Sequence, residues 1–344
     1  MVFASVNPVI PRSRVMNTMQ NPYNFTRPVQ TYASLGGRDR ELNEVKYYIN
    51  LNRSGSSYHL AVQGNRASGK TSLLNVVQSL FRNEPDILMA RVDLNVDLIT
   101  SEYLFFREIF SNIIGEGLNR GIYVWPSKLE LPGRPKKFLH DHNEPLFFYE
   151  IRRDGTIDEK LLFPDSYINA AKQNQLDLPI PQRIIIDGFR TLFNGFSQRG
   201  IKVIVVLLDE CDLLSMNTAL IQKQRNIVDS LSGYMYMLSG TNRMFPEMDK
   251  VFSPFKRQFI TIKVDKFSHL SQVMDCVRKP LESQEKSLFD DETIGRIFTL
   301  TDGMPYKINM VCHFMYERRA TDGQISCRLT EEILRKFKEQ LSPA

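Results

Sequence analysis

The stretch Gly64-Asn65-Arg66-Ala67-Ser68-Gly69-Lys70-Thr71 constrains this chain more than any other. It satisfies the pattern GxxxxGK[ST] without departure. "YHLAVQG" ahead of it reads as a short apolar strand, and "SLLNVVQSLF" behind it as a helix, which is the context the pattern needs. The glycines let the backbone curl until its N–H groups point inward at phosphate oxygens. Lys70 is expected between the β- and γ-phosphates, and the Thr71 hydroxyl on Mg²⁺. A helix starting near Gly69 aims its positive end at the same anion. The candidate nucleotide-binding residues are therefore Gly64, Asn65, Arg66, Ala67, Ser68, Gly69, Lys70, Thr71 and Ser72.

The chain is long enough for a sizeable core and one to three domains, at 344 residues. Its balance, 42% hydrophobic and 24% charged, is that of a soluble globular protein. No apolar run approaches the roughly eighteen residues of a membrane span. Pro8 and Pro11 interrupt the apolar residues of the N-terminus, which lacks a basic lead, so no signal peptide is expected. Cys211, Cys276, Cys312 and Cys327 form no CxxC pair, which argues against a zinc site or a disulfide framework and for a reducing cytoplasm. The formal charge of +5 permits an anionic partner such as DNA without demanding one.

Residues 1–35 read as an extended arm, rich in Pro, Asn, Ser and Thr. A core of alternating strands and helices follows over 36–265, and 266–344 reads as a small α-helical subdomain. The alternation predicts a parallel sheet covered on both faces. "DILMARVDLN" reads as a strand and "SEYLFFREIFSNIIGEGL" as a helix with Ser101 as N-cap. Residues 121–182 read as an insertion, with a hairpin turning at Asp154-Gly155. Further strands are "IKVIVVLLDE", "GYMYMLSG" and "RQFITIKV", with a helix around 214–231.

The strand "VIVVLLDECD" delivers Asp209 and Glu210 to its C-terminal end, where ligands sit in open α/β sheets. Asp209 would hold Mg²⁺ and Glu210 would act as general base on the attacking water. An Asp without that neighbouring Glu would suit binding without turnover. In "MLSGTNR", Ser239, Thr241 and Asn242 are candidates to touch the γ-phosphate or the water. Lys256 and Arg257 read first as a solvated basic pair, and second as a site where Arg257 reaches a neighbouring subunit's γ-phosphate as a finger. Gly303 and Pro305 interrupt a helical pattern that resumes at once, either as a helix–helix turn or for a packing or binding reason. His140 and His142 lack further ligands at metal spacing, and "GRPKK" at Gly133–Lys137 reads as a solvated loop before a phosphate contact.

With these motifs in order, the chain resembles the AAA+/STAND class of P-loop ATPases, in the prokaryotic archaeal-type branch related to the origin-recognition ATPases. "NPYNFTRPV" with "LGGRDREL", "GNRASGKTSLL", "VIVVLLDECDLL", "YMLSGTNRMF" and "FDDETIGRIFTLTDGMPYKINMVCHFMYER" carry the likeness over most of residues 20–340. The resemblance implies a P-loop core with a C-terminal helical lid, ATP and Mg²⁺ as ligands, and hydrolysis to ADP and phosphate. It implies that Gly36–Arg40, with Arg38, lie against the adenine, and that Gly303-Met304-Pro305 close over the nucleotide. Asp302 replaces the first glycine expected in that lid element, and the second sensor arginine of many relatives has no counterpart. The resemblance also implies a homo-oligomer. No full winged-helix domain is expected after Leu341. Three functions follow: an ATPase whose core and lid movement acts on a protein partner, a nucleotide-controlled binding module with little turnover docked through 121–182, or a loader acting on DNA. A small-molecule kinase fits the arm and the large lid less well.

Overall fold

The computed structural model describes residues 21–124, 147–151, 157–161, 179–246 and 255–322, together with 325, 332, 333 and 335. In chain order its elements are α1 (Asp39–Arg53), β1 (His59–Gln63), α2 (Lys70–Phe81), β2 (Ile87–Asp93), α3 (Val96–Thr100) and α4 (Glu102–Asn119). The short strands β3 (Tyr123–Val124), β4 (Phe147–Ile151) and β5 (Ile157–Leu161) come next. The core resumes with α5 (Gln182–Gln198), β6 (Val203–Asp209), α6 (Thr218–Ser230), β7 (Tyr234–Gly240) and β8 (Phe259–Lys263). Helices α7 (Leu270–Arg278), α8 (Asp291–Thr301) and α9 (Pro305–Asp322) follow.

Five strands form one sheet in the order β2-β6-β7-β1-β8, and every neighbouring pair is parallel. Every residue of β1, β6 and β7 is buried, as expected of strands covered on both faces. The period of two sorts their side chains. Val203, Val205 and Leu207 join Ile87, Met89, Leu60 and Val62 in a cluster with the apolar residues of α1 and α2. Ile204, Val206 and Leu208 join Phe106, Phe110, Phe189 and Ile227 of α4, α5 and α6 on the other side. Asp209 is next in the first series, so the alternation sends its carboxylate to the face that carries α2.

The parallel α/β core followed by helices agrees with the sequence reading. Local details differ. The helix expected around 214–231 is divided into a 3-10 turn at Cys211–Met216 and α6, because the Asn217 side chain accepts from Leu220 N at 3.0 Å and starts a new helix. Ser101 occupies the N-cap position of α4 but its side chain makes no cap bond; Asn95 caps the preceding α3 instead, accepting from Leu98 N at 2.9 Å. β4 and β5 pair antiparallel with Ile151 opposite Ile157, and β3 pairs with β4. The turn residues Asp154-Gly155, the pair His140 and His142, and the run Gly133–Lys137 lie outside the described residues.

A third apolar cluster joins α7, α8 and α9 through Val273, Val277, Ile294, Ile297 and Val311. Tyr23, from the segment ahead of α1, is part of it at 1% exposure. Among the described residues no helix is long and apolar enough to cross a membrane.

Candidate nucleotide site

The loop after β1 is shaped by two close approaches. A Cβ on Gly64 would lie 1.9 Å from the Val264 carbonyl oxygen, so only glycine fits there. Gly64 N also donates to Gly240 O at 3.3 Å, which ties the loop to the end of β7. Gly69 adopts φ 97° and starts α2, and Ala67 stands at φ 62°. These left-handed residues turn successive N–H groups toward one side, the arrangement that receives an anion. Lys70 Nζ donates to the carbonyls of Gly64 and Asn65, both at 3.0 Å. Burial pulls its ammonium below the usual range, opposed by the charges of Asp209, Asp212 and Glu210.

The strand order explains how the acidic residues reach this loop. β7 lies between β1 and β6, so its end stands beside both motifs. Asp209, 4% exposed, accepts from Glu210 N at 3.0 Å through Oδ1 and from Arg91 Nη2 at 3.3 Å through Oδ2. Glu210 is exposed and stands at φ 57°, a left-handed conformation that costs a side-chain-bearing residue energy. Asp212 holds Thr241: its Oδ2 accepts from Thr241 N at 2.8 Å and its Oδ1 from Thr241 Oγ1 at 2.5 Å. Asn242 Nδ2 donates to Asn65 Oδ1 at 3.1 Å, so the turn after β7 and the phosphate loop also meet side chain to side chain. Ser239 is fully buried beneath them, and among the described residues its Oγ has no hydrogen-bond partner.

These elements surround a cleft of about 470 Å³, within the range of small-molecule sites. Arg66, Ala67, Gly69, Lys70, Thr71 and Ser72 line one wall, and Asp209, Glu210, Asp212 and Thr241 a second. Of the third wall, the sequence pointed to Pro305 and not to the arm. Residues 24–29 of the arm, with Pro305, Tyr306 and Asn309 of α9, cover the opening. Phe25 meets Tyr306, His313 and Phe314 with ring centroids 6.0, 5.2 and 5.6 Å apart. Val29 is pinned on α2 through both backbone groups, its N–H donating to Ser72 Oγ at 3.0 Å and its carbonyl accepting from Asn75 Nδ2 at 2.9 Å.

Other candidates fall elsewhere. Arg38 is 3% exposed beneath the loop and outside the cleft lining. Its guanidinium donates to Ser68 O, Asp265 O and Glu41, and lies 4.5 Å above the Phe267 ring. Gly303 packs on the Phe267 backbone, whose N–H donates to Gly303 O at 2.8 Å; it too is outside the lining. Asp302 stands at φ 51°, so Asp fills a left-handed place where the lid element was expected to carry glycine. Gly64, Asn65, Ser68 and Asn242 shape or brace the loop from behind the lining. Arg257 is exposed just before β8, at the N-terminal edge of the parallel sheet, whereas the cleft lies at the C-terminal edge. Within one chain it does not meet the phosphate loop.

Among the described residues no group of three or more His, Cys, Asp or Glu side chains could hold a metal alone. Thr71 and Asp209 offer a hydroxyl and a carboxylate on adjacent walls of the cleft, a donor set that fits Mg²⁺ shared with substrate phosphates and water.

No protein-family model matches the chain. An uncharacterised HTH-type transcriptional regulator of Methanocaldococcus jannaschii is 20% identical over 292 residues. The match spans 80% of this chain and 62% of that protein, so the chain spans under two thirds of the curated relative's length. Two structures of the Aeropyrum pernix ORC2 protein are similar in fold. The one described as ADPNP-ADP complexes has a TM-score of 0.53 at 12% identity, covering 92% of this chain and 71% of the other. The ADP form has a TM-score of 0.52 at 11% identity, covering 94% and 74%. With its strand order, its phosphate loop and its trailing helices, the chain shares the fold of the Aeropyrum pernix ORC2 structures.

Proposed function

We propose that this chain binds ATP with Mg²⁺ in the cleft, hydrolyses it, and uses the resulting movement of lid against core to act on a protein partner or assembly. The single observation that carries this reading is convergence: Lys70, Thr71, Asp209, Glu210 and Thr241 surround one cleft whose cover is built from the arm and α9. The Aeropyrum ORC2 structures were obtained with ADPNP and ADP, which supports an adenine nucleotide as the ligand.

In this reading the loop N–H groups and Lys70 bind the β- and γ-phosphates. Lys70 exchanges its contacts with the Gly64 and Asn65 carbonyls for phosphate oxygens. Thr71 and Asp209 would hold Mg²⁺, which when bound would supply charge neutralisation at the phosphates. Glu210 takes a proton from water as its oxygen bonds to the γ-phosphorus; the bond to the β–γ bridging oxygen breaks, and ADP and phosphate leave. Thr241, oriented by Asp212, hydrogen-bonds the γ-phosphate or the water. The base is seated among Phe25, Pro28 and Tyr306, whose apolar surfaces suit stacking. Binding favours the closed lid only by its differential affinity for that state.

Phosphate release and fluorescent-nucleotide binding test the proposal. Lys70→Ala is expected to lose binding and turnover together. Glu210→Gln is expected to keep binding and to lose turnover by about 10²-fold or more, as general-base losses do. Unchanged binding and turnover in Lys70→Ala would end this reading.

One observation favours a second reading, a nucleotide-controlled binding module with little turnover. Among the described lid residues that line the cleft, Pro305, Tyr306 and Asn309, none is an arginine, and Arg257 is at the far edge of the sheet. Solution mass with and without a non-hydrolysable ATP analogue separates the two: a nucleotide-driven oligomer would supply Arg257 in trans, and a strict monomer favours the switch. The relative's description as a transcriptional regulator leaves DNA as a third partner class, tested by DNA stimulation of turnover at low salt.

A further inference from the structure

A continuous polar chain leaves the cleft and returns to it. Arg91, on β2, is on the same sheet face as Asp209, because β2 and β6 pair with Asp93 opposite Asp209 and Arg91 opposite Leu207. Each of its three side-chain nitrogens is engaged. Nη2 donates to Asp209 Oδ2 at 3.3 Å, Nε to Asp93 Oδ1 at 2.8 Å, and Nη1 to Asn75 Oδ1. Asn75, on α2 and 9% exposed, uses its other end to donate to Val29 O at 2.9 Å. Val29 belongs to the arm segment that covers the opening. Four groups therefore link the carboxylate on the cleft wall to the backbone of its cover: Asp209, Arg91, Asn75 and Val29.

Each link is directional. Asp209 is left one orientation by having Oδ1 on Glu210 N and Oδ2 on Arg91. Asn75 cannot rotate its amide without losing both the Arg91 and the Val29 contacts, since one end only accepts and the other only donates. Arg91 presents a planar guanidinium to three acceptors, and a lysine could not hold them in those fixed directions.

We propose that Arg91 is a positioning residue that couples the metal-binding carboxylate of Asp209 to the seating of the arm through Asn75. The proposal rests on the Mg²⁺-nucleotide reading above. Its consequence is reciprocal: a divalent cation that engages Asp209 stabilises the seated arm, and a seated arm strengthens cation binding by the same factor. The side-chain contacts of Arg91 go to Asp209, Asp93 and Asn75 and to no residue of the phosphate loop, so its loss is expected to weaken Mg²⁺-dependent binding more than binding without the metal, which feels it only through the seating of the arm.

The test uses the full chain and a fluorescent ATP analogue, with affinity measured in excess Mg²⁺ and in EDTA, and hydrogen exchange followed at residues 24–29. Wild type is expected to bind more tightly with Mg²⁺ and to protect the arm further when Mg²⁺ is present. Arg91→Met removes the fork and keeps the stem. It is expected to lower the Mg²⁺-dependent gain by about tenfold, as loss of an outer-shell partner does, and to change the EDTA affinity by a smaller factor, through the arm alone. Asn75→Asp keeps the acceptor for Arg91 and loses the donor to Val29. It is expected to retain the metal gain in part while arm exchange rises and ceases to respond to Mg²⁺. Arg91→Lys, which preserves charge without the fork, serves where Arg91→Met does not fold, and is expected to lose arm coupling. An Arg91→Met or Arg91→Lys protein that keeps both the full Mg²⁺ gain and the Mg²⁺-dependent arm protection overturns the proposal. An Arg91 variant that weakens binding equally in Mg²⁺ and EDTA also overturns it, because that is general destabilisation. No Mg²⁺ gain in wild type would instead sink the underlying reading.

Discussion

Glu210 pairs a backbone cost with a chemical position. At φ 57° it stands where a side chain costs about 1 kcal/mol or more, and it is exposed, so little packing offsets that cost. Glu210→Gly is therefore expected to raise stability by up to about 1 kcal/mol while abolishing turnover, a trade checked by urea unfolding beside phosphate release. His59 shows a different residue-scale constraint. Its Nδ1 accepts from Tyr236 N at 3.1 Å, so the folded ring is needed neutral, and burial pulls its pKa down to about 4. As pH falls below the ordinary histidine value near 6.5, the unfolded chain takes up a proton that the folded one refuses. Stability is thus full above pH about 6.5 and is lost as pH drops toward 4, by on the order of 3 kcal/mol at most. Denaturant midpoints at pH 7 and pH 4.5 check this: His59→Gln is expected to flatten that part of the profile, and an unchanged slope would contradict the assignment.

Between elements, the junction of core and lid is made where chains approach too closely for side chains. A Cβ on Gly36 would meet the Asp275 carbonyl oxygen at 2.4 Å, and one on Gly303 would meet that of Phe267 at 2.2 Å. Gly303 also needs φ +69°. Gly303→Ala is expected to cost about 2 kcal/mol or more at this junction, from strain and displacement together. Hydrogen exchange should report it as faster opening of α8 and α9 with β1 and β6 unchanged. The sequence made this junction visible as a pattern of glycines and a charged residue, and its reading sent Arg38 and Gly303 to the nucleotide. A glycine signals that something approaches, without saying what. An arginine signals a partner, and beside the nearby Glu41 the partners of Arg38 include the carbonyls of Ser68 and Asp265, 30 and 227 residues away. Asp212 and Asn75 escaped for the same reason: their roles are set by strand order and by the path of the arm, which no local spacing encodes. The phosphate loop and the Asp209-Glu210 pair were legible because their chemistry is written in contiguous residues beside strong periodic elements.

At the scale of the molecule, the alternation of apolar strands and amphipathic helices was enough to foresee the sheet, while the arm was not foreseen as structural because it has no period to read. It nonetheless joins two apolar clusters. Tyr23 is buried in the lid cluster, donating to Val277 O at 2.5 Å with Phe289 and Tyr316 rings at 5.9 and 6.0 Å. Six residues on, Val29 is fixed to α2 of the core. The arm is thus a short strap whose two anchors lie on the two parts that the proposed mechanism moves. Residues 24–29, next to these anchors, line the cleft itself. Tyr23→Ala removes one anchor, at a cost of about 3–5 kcal/mol for truncating a buried aromatic. That loss is expected in the lid first, as faster hydrogen exchange over residues 270–316 with the sheet still protected. Freed of the strap, the lid is expected to release nucleotide faster, while association changes less, because closure follows encounter. Stopped-flow measurement of both rates with a fluorescent ATP analogue decides the matter. A dissociation rate unchanged in Tyr23→Ala, in a protein whose lid exchange has risen, would mean that the strap stabilises the lid without gating the cleft.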